Sequence, residues 1–148
     1  MNKPKFRAWD KVDQKMRMVE ELCFDSECVT LEDFLYGKKH HSIVRGFEEV
    51  ILMQYTGLKD NSEEPIEIWQ KSIVKIVNND GDYFFGVVEY FGNHGYPAFD
   101  IDCKYHKDWH FDSNVLSEAL GNDNLKIYVI GDEYSNPELL NEVGKQCQ

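Results

Sequence analysis

The sequence predicts a mainly β protein, rich in strand with a minor helical part and arranged as a small barrel or roll. Three observations carry that expectation. Apolar residues gather in short β-branched runs, Val50–Thr56 and Ile73–Val77 among them, each bounded by turn formers. Asp80-Gly81 links two runs in the manner of a tight hairpin, where glycine supplies the positive φ. The helical signals are brief, one or two turns each, which argues against alternating βαβ units.

Taken in order, Phe6–Trp9 and Met16–Val19 alternate apolar with polar around the polar connection Asp10–Lys15 and predict a first hairpin. Thr30 has an acid three residues on, Asp33, followed by Phe34 and Leu35, which predicts a single helical turn. Tyr36–Ser42 is polar, basic and turn-prone, and predicts a mobile loop. Strands then follow at Val50–Thr56 and Ile73–Val77, with Gly57, Pro65 and Asn78–Asp82 as breaks. The aromatic run Tyr83–Phe91 continues the hairpin, and Gly86 inside it predicts a bulge or sharp bend. Gly92–Gly95 ends that run. Phe99–Cys103 alternates like a half-buried strand, and Trp109–Phe111 reads as a short partner. Asn114–Leu120 predicts a short helix capped by Ser113 or Asn114 and stopped by Gly121. The last strand is Leu125–Ile130, and Asn136–Leu140 opens a terminal helix with proline at its first position. The organisation expected from this pattern is an N-terminal hairpin and loop extension over residues 1–45 and a β domain over 46–148, or one continuous domain over 1–148.

Composition narrows the function. The chain has 148 residues, 42% of them apolar, so a core forms without disulfide or metal support. Sixteen Lys and Arg against 27 Asp and Glu give a net charge of −11, which repels nucleic acid backbones and anionic membranes. There is no run of apolar residues long enough for a membrane span, and Met1–Lys5 leads straight into Phe6–Asp10 without an apolar signal core. The expected location is the cytoplasm. Cys23, Cys28, Cys103 and Cys147 are then expected as free thiols, since Cys23 and Cys28 lack the spacing of a redox motif. Up to Arg17 six basic residues meet only Asp10 and Asp13, so a basic arm is available to lie on the acidic body of this chain or of another copy.

The segment Met53-Gln54-Tyr55-Thr56-Gly57-Leu58-Lys59-Asp60 resembles the signature of the YopX-like family, proteins of unassigned function encoded by bacteriophages and prophages of Gram-positive bacteria. Phe6-Arg7-Ala8-Trp9-Asp10 looks like that family's opening. Val129-Ile130-Gly131-Asp132 to Tyr134, with Asn136-Pro137-Glu138-Leu139-Leu140, looks like its closing segment. The three matches bracket Phe6 to Leu140 in the expected order. The resemblance implies an SH3-like barrel or roll, a phage or prophage origin with action in the cytoplasm of the bacterial host, and no activity or cofactor. One departure stands out: where the family has a Gly-Asp turn before an Ile-Val strand, this chain has Lys71-Ser72.

Candidate chemistry is sparse. Cys103, His106 and His110, with Asp100 and Asp102 nearby, are the weak metal-ligand candidates, because His-x-x-x-His places two imidazoles on one helical face and a thiolate adds a third donor. The polar residues between them do not favour that helix, and no catalytic residue or cofactor site is assigned. Ten aromatic residues between Tyr83 and Phe111 supply either a barrel core or an interface patch. The functional expectation is a non-enzymatic protein–protein interaction module that forms a homo-oligomer, with a host or phage protein as a further partner and with neither nucleic acid nor membrane. Two alternatives are an acidic mimic of nucleic acid, using Asp60, Glu63, Glu64, Glu67, Asp80 and Asp82 on one face to occupy a basic host protein, and a metal-assisted hydrolase.

Overall fold

The computed structural model describes residues 3–102 and 109–145. The chain divides into two compact units, residues 1–55 and 56–148.

In the first unit, β1 (Phe6–Asp10) and β2 (Lys15–Cys23) form the expected hairpin, with Trp9 opposite Met16 and Asp10 opposite Lys15. Strand β3 (Cys28–Leu31) returns along β2. Thr30 therefore lies in a strand, not in the expected helical turn: Val29 and Leu31 alternate inward with no exposure, and burial of that period-two face outweighs a local capping signal. Residues Phe34–Leu35 (β4) and Lys38–Lys39 (β5) form a two-stranded ribbon turned by Tyr36 and Gly37, so the expected loop contains a small hairpin. Strand β6 (Ile43–Gly46) pairs with β3, and β7 (Val50–Lys59) pairs with β1, giving the antiparallel order β6-β3-β2-β1-β7. Ala8, Val29, Leu31 and Val50 make its core.

In the second unit, the end of β7 is followed by β8 (Glu67–Trp69), β9 (Ser72–Asn78), β10 (Tyr83–Tyr90) and β11 (Phe99–Ile101). Helix α1 (Val115–Gly121), β12 (Leu125–Asp132) and helix α2 (Leu140–Lys145) complete it. The sheet order is β11-β10-β9-β12. Strand β9 reads as an almost continuous apolar run because both faces are covered. Val74 and Ile76 pack with Leu116 and Ala119 of α1, and Ile73 packs with Val143 of α2. Asp80-Gly81 makes the tight turn, with Gly81 at φ +89°.

Two local expectations change. Gly86 sits in regular register opposite Val74, and its role is close packing: a Cβ there would collide with Cγ2 of Ile101. The bulge lies instead in β12, between Val129 and Gly131. Trp109 and Phe111 form no strand but stack on each other at 6.3 Å and pack edge-on against Phe84. Asn114 is the helix cap, its side chain accepting from the Ser117 N–H. The mainly β class stands. Among the described residues both sheets are open, with β6 at one edge of the first and β11 and β12 at the edges of the second, so their strand orders display no barrel closure. Among the described residues no helix is long and apolar enough to cross a membrane.

Candidate functional site

The signature residues have structural tasks. Thr56 donates its hydroxyl to the Ile68 carbonyl at 2.7 Å and accepts from the Leu58 N–H, which holds the chain at Gly57, where φ is +87°. Met53 is fully buried, Leu58 packs on the second unit's core, Gln54 is exposed and Tyr55 lies under the Lys5 ammonium at 4.9 Å. Asp60 is buried, and its carboxylate accepts from the N–H groups of Ser62, Ile66 and Val129 and from the Ser62 hydroxyl. Burial alone would raise its pKa, but the N–H groups of Ile66, Val129 and Ser62 outweigh that and hold it below the usual carboxylate range. Asn61 adds a side-chain oxygen to the Ile127 N–H at 2.8 Å and gives its own N–H to the Ile127 carbonyl. Together Asp60 and Asn61 act as a short pseudo-strand that satisfies the outer edge of β12. Asp60 is therefore not part of an exposed acidic array. At the other end, Gly131 leaves room for the Asn136 side chain, whose oxygen accepts from the Asp132 N–H. Asp132 accepts from the Tyr134 and Ser135 N–H groups; Pro137 opens a 3-10 turn and Leu139 packs beside Ile73 and Val143.

Asp10 anchors a charge cluster in the first unit. Its carboxylate has no exposure and accepts from Nε of Arg17 at 3.2 Å, Nε of Arg45 at 3.0 Å and the N–H groups of Val12 and Asp13. Arg17 also donates to Asp33 at 2.5 Å and Asp13 at 2.8 Å, and Arg45 to Asp13 at 3.1 Å. Burial pushes the Asp10 carboxyl up, but Arg45 and the two N–H donors prevail and set it below its ordinary value. Arg17 of the basic arm is thus engaged within its own unit. A cavity of about 270 Å³ opens beside the cluster, lined by Lys15–Met18 and Glu32–Phe34. From its rim the β4–β5 ribbon projects with Phe34, Leu35 and Tyr36 exposed, Tyr36 at 95%, followed by Lys38 and Lys39. Lys39 pairs with Glu20.

The turn between β8 and β9 carries a third feature. Lys71 has φ +68°, a conformation that favours glycine, and its ammonium lies 2.5 Å from Glu89 and 3.5 Å from Glu133. Burial raises the Glu133 carboxyl, and Lys71 offsets this only in part. The Ser72 hydroxyl accepts from the Trp69 N–H at 3.0 Å and closes the turn.

The metal-ligand candidates do not converge among the described residues. Asp100 is buried, and its carboxylate oxygen accepts from the Ile101 N–H at 2.7 Å and the Leu116 N–H at 3.2 Å, tying β11 to the first turn of α1. Burial lifts its pKa by more than those N–H groups lower it. Asp102 is half-buried, and His110 is exposed at 92% beside Asp112 at 3.3 Å. Cys103 and His106 lie outside the described residues. No group of three or more potential metal ligands occurs among the described residues.

The model of the YopX protein family matches residues 5–141. The chain belongs to the YopX family. A search of curated proteins returned no match. The X-ray crystal structure of the YopX protein from Bacillus subtilis is similar over 94% of this chain and 98% of that one, with 22% identity and a TM-score of 0.56. At that identity the likeness shows a shared fold. At Lys71-Ser72, where the family resemblance departs, this chain has a left-handed backbone at Lys71, and the Ser72 side chain supplies an acceptor to the Trp69 N–H. Lys71 places an ammonium between two carboxylates there, and β9 starts at Ser72.

The signature residues were legible as a pattern but their tasks were not. Arg17, Arg45, Asp13 and Asp33 carried no sequence signal as a cluster, because their meeting depends on three strands and two connections spread over 35 positions of sequence, from Asp10 to Arg45.

Proposed function

We propose that this YopX-family chain is a non-enzymatic interaction module that associates with further copies of itself through the β4–β5 ribbon. The observation that carries this reading is the ribbon itself. Phe34 and Leu35 on β4 and Tyr36 in the turn after it are exposed at 56%, 49% and 95%, and among the described residues β4 and β5 pair as strands only with each other. Contiguous aromatic and aliphatic exposure of that kind marks contact surfaces. Between Phe34 and Arg45 the chain has Lys38, Lys39 and Arg45 and no acid, on a protein of net charge −11. A second copy therefore offers the acidic surface that this basic, apolar ribbon fits. Thr56, Asp60, Asp132 and Asn136 support a structural reading, since their polar groups are spent on the fold. A phage or prophage setting in the host cytoplasm belongs to the same proposal and is supported by the resemblance alone.

The test is the native mass of the full chain at low and high salt, for the wild type and for Leu35→Glu, with a host-lysate pulldown from the same preparation. The expected result is a salt-sensitive oligomer that Leu35→Glu converts to monomer. A wild-type monomer at every salt concentration overturns self-association, and one that retains a basic nucleic-acid-binding host protein points to acidic mimicry instead. A Leu35→Glu variant that assembles like the wild type overturns the ribbon as the contact.

A further inference from the structure

Cys23 and Cys28 end β2 and begin β3, and the strand register sets them directly opposite each other across the four-residue turn Phe24–Glu27. Directly opposed residues of an antiparallel pair have Cα atoms about 4.5–5.5 Å apart, within the range a disulfide spans without backbone movement. The two thiols hydrogen-bond each other, and both are half-buried, so each remains open to a small reagent. Ser26, in the turn, directs both its hydroxyl and its backbone N–H at the Cys23 sulfur.

We propose that Cys23 and Cys28 form a reversible dithiol–disulfide site that exchanges with low-molecular-weight disulfides, oxidised glutathione being the probe. The two cysteines have distinct tasks. The Ser26 donors favour the Cys23 thiolate and hold its pKa below the ordinary thiol value, whereas burial and the neighbouring Cys23 push Cys28 up. Cys23 is accordingly the attacking sulfur. Its thiolate displaces one glutathione thiolate from the disulfide and forms a Cys23–glutathione mixed disulfide. Cys28 then loses its proton to solvent and attacks the Cys23 sulfur, forming the Cys23–Cys28 bond and expelling the second glutathione thiolate. In sum, one protein dithiol and one glutathione disulfide give one protein disulfide and two glutathione thiols. The two cysteine sulfurs lose the two electrons that the glutathione sulfurs gain. The resulting bond would staple the tip of the β2–β3 hairpin beside Phe24, which sits edge-on against Phe47 at 6.0 Å.

The test equilibrates the full chain with defined ratios of reduced and oxidised glutathione, quenches with acid, alkylates the remaining thiols and digests with trypsin. The peptide 18–38 carries both cysteines and neither Cys103 nor Cys147. The expected result is a shift of this peptide from doubly alkylated to unalkylated and two hydrogen atoms lighter as oxidised glutathione increases, reversed by reduced glutathione. Cys28→Ser should trap the Cys23–glutathione adduct. In Cys23→Ser, glutathionylation of Cys28 should be about tenfold slower or more. A wild-type peptide that stays doubly alkylated across the redox series, or that collects only glutathione adducts without the internal bond, overturns the proposal. Equal reaction rates in the two serine variants overturn the assignment of Cys23 as the attacking sulfur.

Discussion

Replacing Asp10 by alanine should cripple the first unit. The substitution deletes a carboxylate of zero exposure and strands donors on Arg17, Arg45, Val12 and Asp13. Arg17 is the costly one, since its side chain is only 7% exposed and water cannot replace the lost acceptor freely. Breaking a buried ion pair from one side costs about 3–5 kcal/mol, a large share of the ~5–15 kcal/mol that holds a typical domain. Asp13 belongs to the same cluster but is 39% exposed, so Asp13→Ala should cost about 1 kcal/mol or less. Hydrogen–deuterium exchange resolved to β1 and β2 reads both values. Asp10→Ala should lower protection there by about two to four decades, and Asp13→Ala by less than about one. The pH dependence follows from the sign of the shift. Folding lowers the Asp10 pKa, so its stabilising contribution is full above the unfolded value of about 4 and disappears as the pH falls through the lower folded value. The gap between wild type and Asp10→Ala should narrow on acidification through that window. Equal losses in the two variants, or an Asp10→Ala protein protected within about one decade of wild type at neutral pH, would refute the idea that burial makes Asp10 the keystone of the cluster.

Asp60→Ala should destabilise the second unit by about 2–4 kcal/mol in urea unfolding, because it leaves the Val129 and Ile66 N–H groups without their acceptor; Asn61→Ala should cost about 1–2 kcal/mol through Ile127. Lys71→Gly removes left-handed strain of about 1 kcal/mol and also the ammonium between Glu89 and Glu133, so its stability at neutral pH should lie within about 1 kcal/mol of wild type. Without that ammonium the folded pKa of Glu133 rises further, and a raised carboxyl pKa confers stability at low pH that is lost as pH increases; the variant should therefore gain on wild type as the pH is lowered from 7 toward about 4, and parallel pH curves would refute the pairing. Gly86→Ala forces a methyl group onto Ile101 in the core and should lower stability by about 1–3 kcal/mol, measured by thermal unfolding, whereas an unchanged melting temperature would mean that the β10–β11 contact is looser than it stands.

Much of the fold was readable because its signals are local. The β1–β2 hairpin, the Asp80-Gly81 turn, the aromatic strand β10 and the Asn114 cap all follow from residues within a few positions of one another. Thr30 and Gly86 were misread for the opposite reason: a local preference for a helical turn or a bend was overruled by burial of Val29 and Leu31 in one case and by the approach of Ile101 in the other. The signature octapeptide showed kinship, but its glycine read as a break where β7 runs on to Lys59, and nothing in the string reveals that Asp60 and Asn61 reach across to the edge of β12.

The β class, the positions of most strands and turns, the acidic charge and the family are written in the chain's local pattern. Tertiary structure alone decided which polar groups meet. Register placed Cys23 against Cys28, strand order brought Arg17 and Arg45 to one carboxylate, and the left-handed turn at Lys71 set an ammonium between two glutamates. The physical reason is that backbone preferences are set by near neighbours in the chain, while burial and electrostatic pairing are set by neighbours in space, and their energies are realised only when distant strands close over them.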